Sequence, residues 1–137
     1  MPTNTAGGAG RKLHQQVINV ICQDINYNDV GAATGIATGK WLPAGAILSG
    51  TEVSVNTTFN AQTTNVLTIG INGATANNIV ATVSAATAGT TLNLLPTGTA
   101  LGKLTADSQV YVKYTQTGTA ATQGNASFII TYIGNVS

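Results

Sequence analysis

The chain has 137 residues, of which 43% are hydrophobic and only 7% are charged, and its formal net charge is +1 at pH 7. It carries one histidine, one cysteine and four acidic residues, whereas acid–base, nucleophilic and metal chemistry need several such groups within bonding distance. The composition therefore argues against an enzyme, a cofactor and a metal site. Scattered bases argue against nucleic acid, and the lack of an apolar run near the roughly 20 residues of a membrane helix argues against a membrane partner.

The first twelve residues predict an extended N-terminal arm. Residues 2–10 are mostly small or polar, so they cannot bury enough apolar surface to offset the entropy lost on ordering. Arg11 and Lys12 follow as an adjacent pair of bases. Fully extended, residues 2–12 would span about 36 Å. They lack the pattern of a signal peptide, so we expect synthesis in the host cytoplasm. The predicted domains are the arm, 1–12, and a β-sandwich, 13–137.

From residue 13 onward the pattern predicts β-strands separated by turns. Residues 16–25 are β-branched and apolar on both faces, which predicts a strand covered on two sides with Cys22 as an inert core residue. The Asn-, Asp-, Thr- and Gly-rich stretch 26–39 predicts a long loop, and Trp41–Gly45 predicts a turn. Further strands are expected at 46–59, 66–71, 79–83, 92–95, 108–115 and 126–133, with a hairpin at Asn72-Gly73.

The predicted strands define the fold class. Residues 51–59 alternate regularly, with Val53, Val55 and Phe59 on one face. About eight strands and no convincing helical period predict an all-β protein, a single antiparallel β-sandwich, and favour a jelly roll. An immunoglobulin-like sandwich is the alternative, although its Cys–Trp–Cys core is missing.

Two loops suggest ligand chemistry but depart from the required patterns. Residues 34–41 resemble a phosphate loop in part, but Thr34 stands where the first glycine should be and no Ser or Thr follows Lys40. The loop between Asp24 and Gly31 has oxygen ligands at alternate positions, but Asp29 occupies the position of the sharp-turn glycine. An Asx-turn loop is the favoured interpretation there, and a lone bound cation remains the alternative.

Several segments are similar to small structural proteins of tailed bacteriophages. These segments are Trp41–Asn60, Leu67–Gly70, Ala106–Gly118 and Gly124–Ile133. The group resembles capsid cement or decoration proteins with a jelly-roll body. The resemblance implies a virion protein on the outside of a phage head, where it clamps neighbouring major capsid subunits against the pressure of the DNA.

The resemblance also suggests partners and interface residues. Arg11 and Lys12 are candidates for pairing with capsid carboxylates, and Trp41 and Tyr27 are further interface candidates. Unpaired edge strands predict a homodimer, with a trimer as the alternative. No cofactor is expected. The competing function is a receptor- or carbohydrate-binding β module of a phage fibre or adhesin, in which Trp41 and Tyr27 would supply the aromatic surface of a sugar site.

Overall fold

The structure, a computed structural model, describes residues 18–29 and 31–134. Arg11, Lys12 and the rest of the predicted arm lie outside the described residues. Eight strands follow in chain order: β1 (Ile18–Asn26), β2 (Ile36–Leu42), β3 (Ile47–Thr57), β4 (Thr64–Gly70), β5 (Val80–Ser84), β6 (Gly89–Leu94), β7 (Ser108–Thr117) and β8 (Asn125–Ile133). The helical elements among the described residues are two short 3-10 turns, Gly73–Thr75 and Gly98–Ala100.

The strands form two antiparallel four-stranded sheets. The first has the order β1-β8-β3-β6 and the second β2-β7-β4-β5. Only β4 and β5 are consecutive in the chain and neighbours in a sheet, so each of the other connections crosses from one sheet to the other. That strand order is the order of a jelly roll. The predicted antiparallel sandwich is confirmed.

The core lies between the two sheets and follows the alternation of the strands. In β3, Val53 and Val55 are buried whereas Ser54 and Asn56 are not. The rings of Phe59 and Tyr114 pack near one end of this core, with centroids 4.6 Å apart at a tilt of 48°. Tilted aromatic pairs of this kind add to the stabilisation from buried apolar area.

The predicted loop at 26–39 is partly wrong, because β2 begins at Ile36. Only Leu42 of β2 is buried, and the pairing with β7 shifts register between Ala37 and Trp41. Gly39 lies in that interruption with φ 73°. An edge strand with one buried side chain and a glycine bulge has little of the alternation by which a strand is recognised. The predicted turn therefore starts only after β2 ends at Leu42.

The predicted hairpin joins β4 and β5, but Asn72-Gly73 is not a two-residue turn. The connection runs over residues 71–79 and contains the first 3-10 turn. Asparagine side chains hold it together: Asn78 Oδ1 accepts from Ile71 N at 2.8 Å, and Asn72 Oδ1 accepts from Asn77 N at 3.1 Å. These bonds replace the backbone bonds of a tight turn.

The prediction that Cys22 is a core residue is wrong, because its side chain is exposed. The sandwich has two layers, so β1 is covered on one face only. Ile21 and Ile25 face the core, and the outward face carries Ile18 and Val20 beside Cys22. The predicted start of this strand, 16–17, lies outside the described residues.

Candidate interaction surfaces

The connections between strands lie at the two ends of the sandwich, and at each end hydrogen bonds join them to one another. Four connections, 27–35, 58–63, 85–88 and 118–124, form one end, here called the polar end. Tyr27 N donates to Gly124 O at 3.0 Å, and Phe59 N donates to Ala85 O at 2.9 Å. The opposite end, called the apolar end, contains 43–46, 71–79, 95–107 and the start of β1. There Gly45 N donates to Leu104 O at 2.8 Å.

The side-chain amides of Asn60 and Gln62 at the polar end form hydrogen bonds within the protein. Asn60 Oδ1 accepts from Thr122 N at 2.8 Å and from Gln123 N at 3.1 Å. Gln62 Oε1 accepts from Thr119 N at 3.2 Å. No large hydrophobic residue among the described residues of these four connections is strongly exposed. The polar end is therefore a set of loops fixed by their own hydrogen bonds.

The buried side-chain amide of Asn65 forms hydrogen bonds beneath the loops of the polar end. Asn65 Oδ1 accepts from Tyr114 Oη at 2.6 Å and from Ala61 N at 3.0 Å, and Asn65 Nδ2 donates to Ala61 O at 2.9 Å. Burial raises the pKa of the Tyr114 phenol, which favours the protonated form that donates this bond. The sequence analysis did not identify this pair. Its partners lie 49 positions apart, and the only local signal is an asparagine beside an apolar run.

The apolar end exposes large hydrophobic side chains. Trp41 at the end of β2 is 55% exposed, and Leu95 and Leu101 in the β6–β7 connection are 68% and 65% exposed. The connections below them are ordered, since Ala44 N donates to Asp107 Oδ1 at 2.8 Å and Thr97 N donates to Asn78 O at 2.7 Å. Exposed apolar groups on an ordered framework are typical of contact surfaces.

The two aromatic interface candidates lie at opposite ends. Trp41 is paired with Gln109 near the start of β7. Tyr27 packs against the core and lines a hollow of about 370 Å³ with Tyr114 and Gln116, near the end of the same strand. The rise of a strand places these positions roughly 20 Å apart. The structure therefore does not bring the two rings together as one sugar-binding surface.

Asp24 and Asp29, the two carboxylates of the loop considered for a cation, line one shallow hollow of about 330 Å³. Gln23 and Thr38 line the same hollow. Asp29 Oδ2 accepts from Asn26 N at 2.8 Å, so the side chain reaches back three residues across the turn in which Asp29 N donates to Asn26 O. Asp24 is exposed. Within 18–29 and 31–134, no group of three or more His, Cys, Asp or Glu side chains could hold a metal ion. Asp29 therefore has the role of a turn residue.

The outward face of the first sheet is divided into two parts. Near the polar end, a ladder of side-chain bonds crosses all four strands: Asn125 Nδ2 to Asn26 Oδ1, Asn56 Nδ2 to Asn125 Oδ1, Ser54 Oγ to Asn56 Oδ1 and Thr90 Oγ1 to Ser54 Oγ, at 2.8–3.3 Å. Beyond the ladder, the part of the face that borders the β1 edge is apolar, and Glu52 of β3 lies next to it, opposite Ile129. Ile18, Val20 and Cys22 of β1 and Ile129 of β8 form what we call the β1 apolar face.

In the described part of the chain, no helix is long and apolar enough to cross a membrane. Comparisons with known proteins find no matching family model and no matching curated protein. They do find solved structures with the same fold. A chain of the cyanophage Pam1 capsid asymmetric unit matches with a TM-score of 0.60 and 20% identity, over 85% of this chain and 84% of that chain.

Two further phage structures match to a similar extent. A chain in the acidic stable capsid structure of Helicobacter pylori bacteriophage KHP30 has a TM-score of 0.64 and 14% identity, with 88% of this chain and 90% of that chain covered. A chain in the capsid of Ralstonia phage GP4 has a TM-score of 0.61 and 20% identity, with 88% and 86% covered. At these identities the likeness establishes a shared fold.

Proposed function

We propose that the protein is a structural component of a phage virion, a capsid cement or decoration protein. It binds the outside of the head and stabilises contacts between major capsid subunits. The observation that carries the proposal is the fold, which is matched over 85–88% of the chain by chains from three phage capsids. The match also covers 84–90% of each of those chains, so the likeness extends over nearly the whole of both partners.

The surface chemistry supports this role. Many copies of a cement protein lie close together on a head, and a net charge of +1 keeps the repulsion between them small. Thr, Asn, Gln and Ser side chains cover the loops and suit wet, hydrogen-bonded contacts. The extensive side-chain hydrogen bonding of the polar end gives the rigid body that a clamp requires.

We assign capsid attachment to the apolar end. Trp41, Leu95 and Leu101 are exposed there on ordered connections. The described part of β1 begins at the same end, and Arg11 and Lys12 precede its first residue, Ile18, by seven and six positions. Apolar anchors and a basic arm therefore approach a capsid surface from one side, with the bases paired to capsid carboxylates. The polar end faces solvent.

A pair of charge substitutions tests this assignment. Leu101→Asp introduces a charge at the apolar end, and Ala120→Asp introduces the same charge at an exposed position of the polar end. Both residues are exposed, so neither variant should unfold the body. Co-sedimentation with heads lacking the protein should show about tenfold weaker binding for Leu101→Asp and unchanged binding for Ala120→Asp. Equal binding of both variants, or no binding of the unmodified protein, would contradict the proposal.

A further inference from the structure

The four edge strands of the sandwich are not equivalent. The pairings of β2, β5 and β6 with their neighbours each contain a register shift. By contrast, β1 pairs with β8 over nine consecutive residues, Ile18 to Asn26, without a shift. Bulges and charged residues are the usual means by which an edge is kept from pairing with another chain. The stretch Ile18–Gln23 contains neither, and no described strand pairs with its outer side.

The face beside this edge is apolar and exposed. Ile18 is 63% exposed, Val20 is 58% exposed and Ile129 is 40% exposed, and Cys22 lies among them. Near the polar end the same outward face carries the hydrogen-bonded ladder, and Glu52 of β3 lies opposite Ile129. Leu92 is also exposed, but it lies at the opposite edge, where the pairing of β6 with β3 shifts register. An apolar patch beside a regular edge is typical of a surface that becomes buried on association.

We propose that β1 pairs antiparallel with β1 of a second copy, which joins the two first sheets into one continuous eight-stranded sheet across a two-fold axis. In such an isologous contact the same surface is used by both copies, so the surface must be complementary to itself. Asp24 is the only charged residue of β1. Pairing centred on Cys22, the middle residue of the strand, sets Asp24 opposite Val20 of the second copy. The two Asp24 residues are then four positions apart, about 13 Å, which exceeds the Debye length of about 8 Å at physiological salt.

The expected strength of this contact follows from its size. Two nine-residue strands and a narrow apolar face bury less area than a standard interface of about 1,600 Å². We therefore expect a micromolar dissociation constant, so the dimer should be populated at tens of micromolar and above. This contact does not depend on capsid attachment, and it is tested with the free protein.

Substitutions at the two edges of the first sheet provide the test. Val20→Asp adds a charge to the β1 apolar face directly opposite Asp24 of the second copy, so the two like charges repel each other. Leu92→Asp is the matched control, since Leu92 is 61% exposed on β6 at the opposite edge. Sedimentation at about 200 µM should give dimers for the unmodified protein and for Leu92→Asp, and monomers for Val20→Asp. An unmodified protein that remains monomeric, or a dimer that survives Val20→Asp, would overturn the proposal.

Cys22 supplies a second measurement, because it is the single cysteine of the chain. Directly opposite residues of antiparallel strands have Cα atoms about 4.5–5.5 Å apart, within the range that a disulfide spans. Mild oxidation of the folded dimer should therefore produce a disulfide-linked pair, and Val20→Asp should reduce its yield to the level of random collision. A dimer that forms no disulfide would overturn the pairing centred on Cys22.

Discussion

The buried pair of Asn65 and Tyr114 shows how individual residues stabilise the polar end. Asn65 satisfies the backbone N–H and C=O of Ala61 and also accepts from the Tyr114 hydroxyl. Tyr114 is 1% exposed, so its hydroxyl has no access to bulk water as an alternative partner. One amide thus connects β4, β7 and the β3–β4 connection.

Replacing Tyr114 with Phe tests this pair and its pH dependence. At neutral pH the variant should lose about 1 kcal/mol of unfolding free energy, because Asn65 Oδ1 keeps its bond from Ala61 N. Burial raises the pKa of the Tyr114 phenol, so its stabilising contribution is complete below the unfolded-state value, about 10, and is lost as the pH rises through the higher folded-state pKa. Urea unfolding from pH 8 to pH 11 should therefore show a steeper loss above pH 10 for the unmodified protein than for Tyr114→Phe. If the unfolding free energies of the two proteins fell in parallel as the pH rises, the titration of Tyr114 would not be the cause of the loss.

At the scale of elements, the strands with regular alternation could be predicted and β2 could not. The predicted strands at 46–59, 66–71, 108–115 and 126–133 correspond to β3, β4, β7 and β8, because alternate burial between two sheets imposes a period of two on their sequences. Only Leu42 of β2 is buried, so β2 lacks that period.

Fewer features of the candidate surfaces than of the fold could be predicted from the sequence. Trp41 was identified as an interface candidate, and the interface roles of Trp41, Tyr27, Arg11 and Lys12 stay predictions. The exposure of Cys22 could not be predicted, since a run of apolar residues does not tell which of its faces a second layer covers. The amide bonds of the polar end were also missed. Asn60 and Thr122 lie 62 positions apart, and only the folded chain brings them together.

Deleting the predicted arm should separate folding from attachment. Residues 2–12 have no large apolar side chain, so deleting them should shift the melting temperature of the body by less than about 2 °C. Binding to heads should weaken, because Arg11 and Lys12 are removed. Replacing only these two bases with Ser in the full-length chain separates the effect of charge from that of chain length. Unfolding of the truncated protein, or decoration as tight as that of the intact chain, would contradict the predicted arm function.

At the scale of the whole molecule, the distribution of apolar and polar surface makes the two ends of the sandwich chemically different. One end carries Trp41, Leu95 and Leu101, and the other presents loops in which the side-chain amides of Asn60 and Gln62 accept hydrogen bonds from backbone N–H groups. The regular edge of β1 lies to the side. This arrangement fits the proposals that the protein attaches to a capsid by its apolar end and pairs with a second copy through β1.

The stability of phage heads with and without the protein tests the central claim most directly. Purified protein is added to heads that lack it, and the temperature at which the heads release their DNA is measured, with Leu101→Asp as the weaker-binding control. A cement protein should bind to saturation at a fixed ratio to the major capsid protein and raise the release temperature, whereas Leu101→Asp at the same concentration should raise it less. Saturating binding with no rise in the release temperature, or no binding at all, would contradict the account.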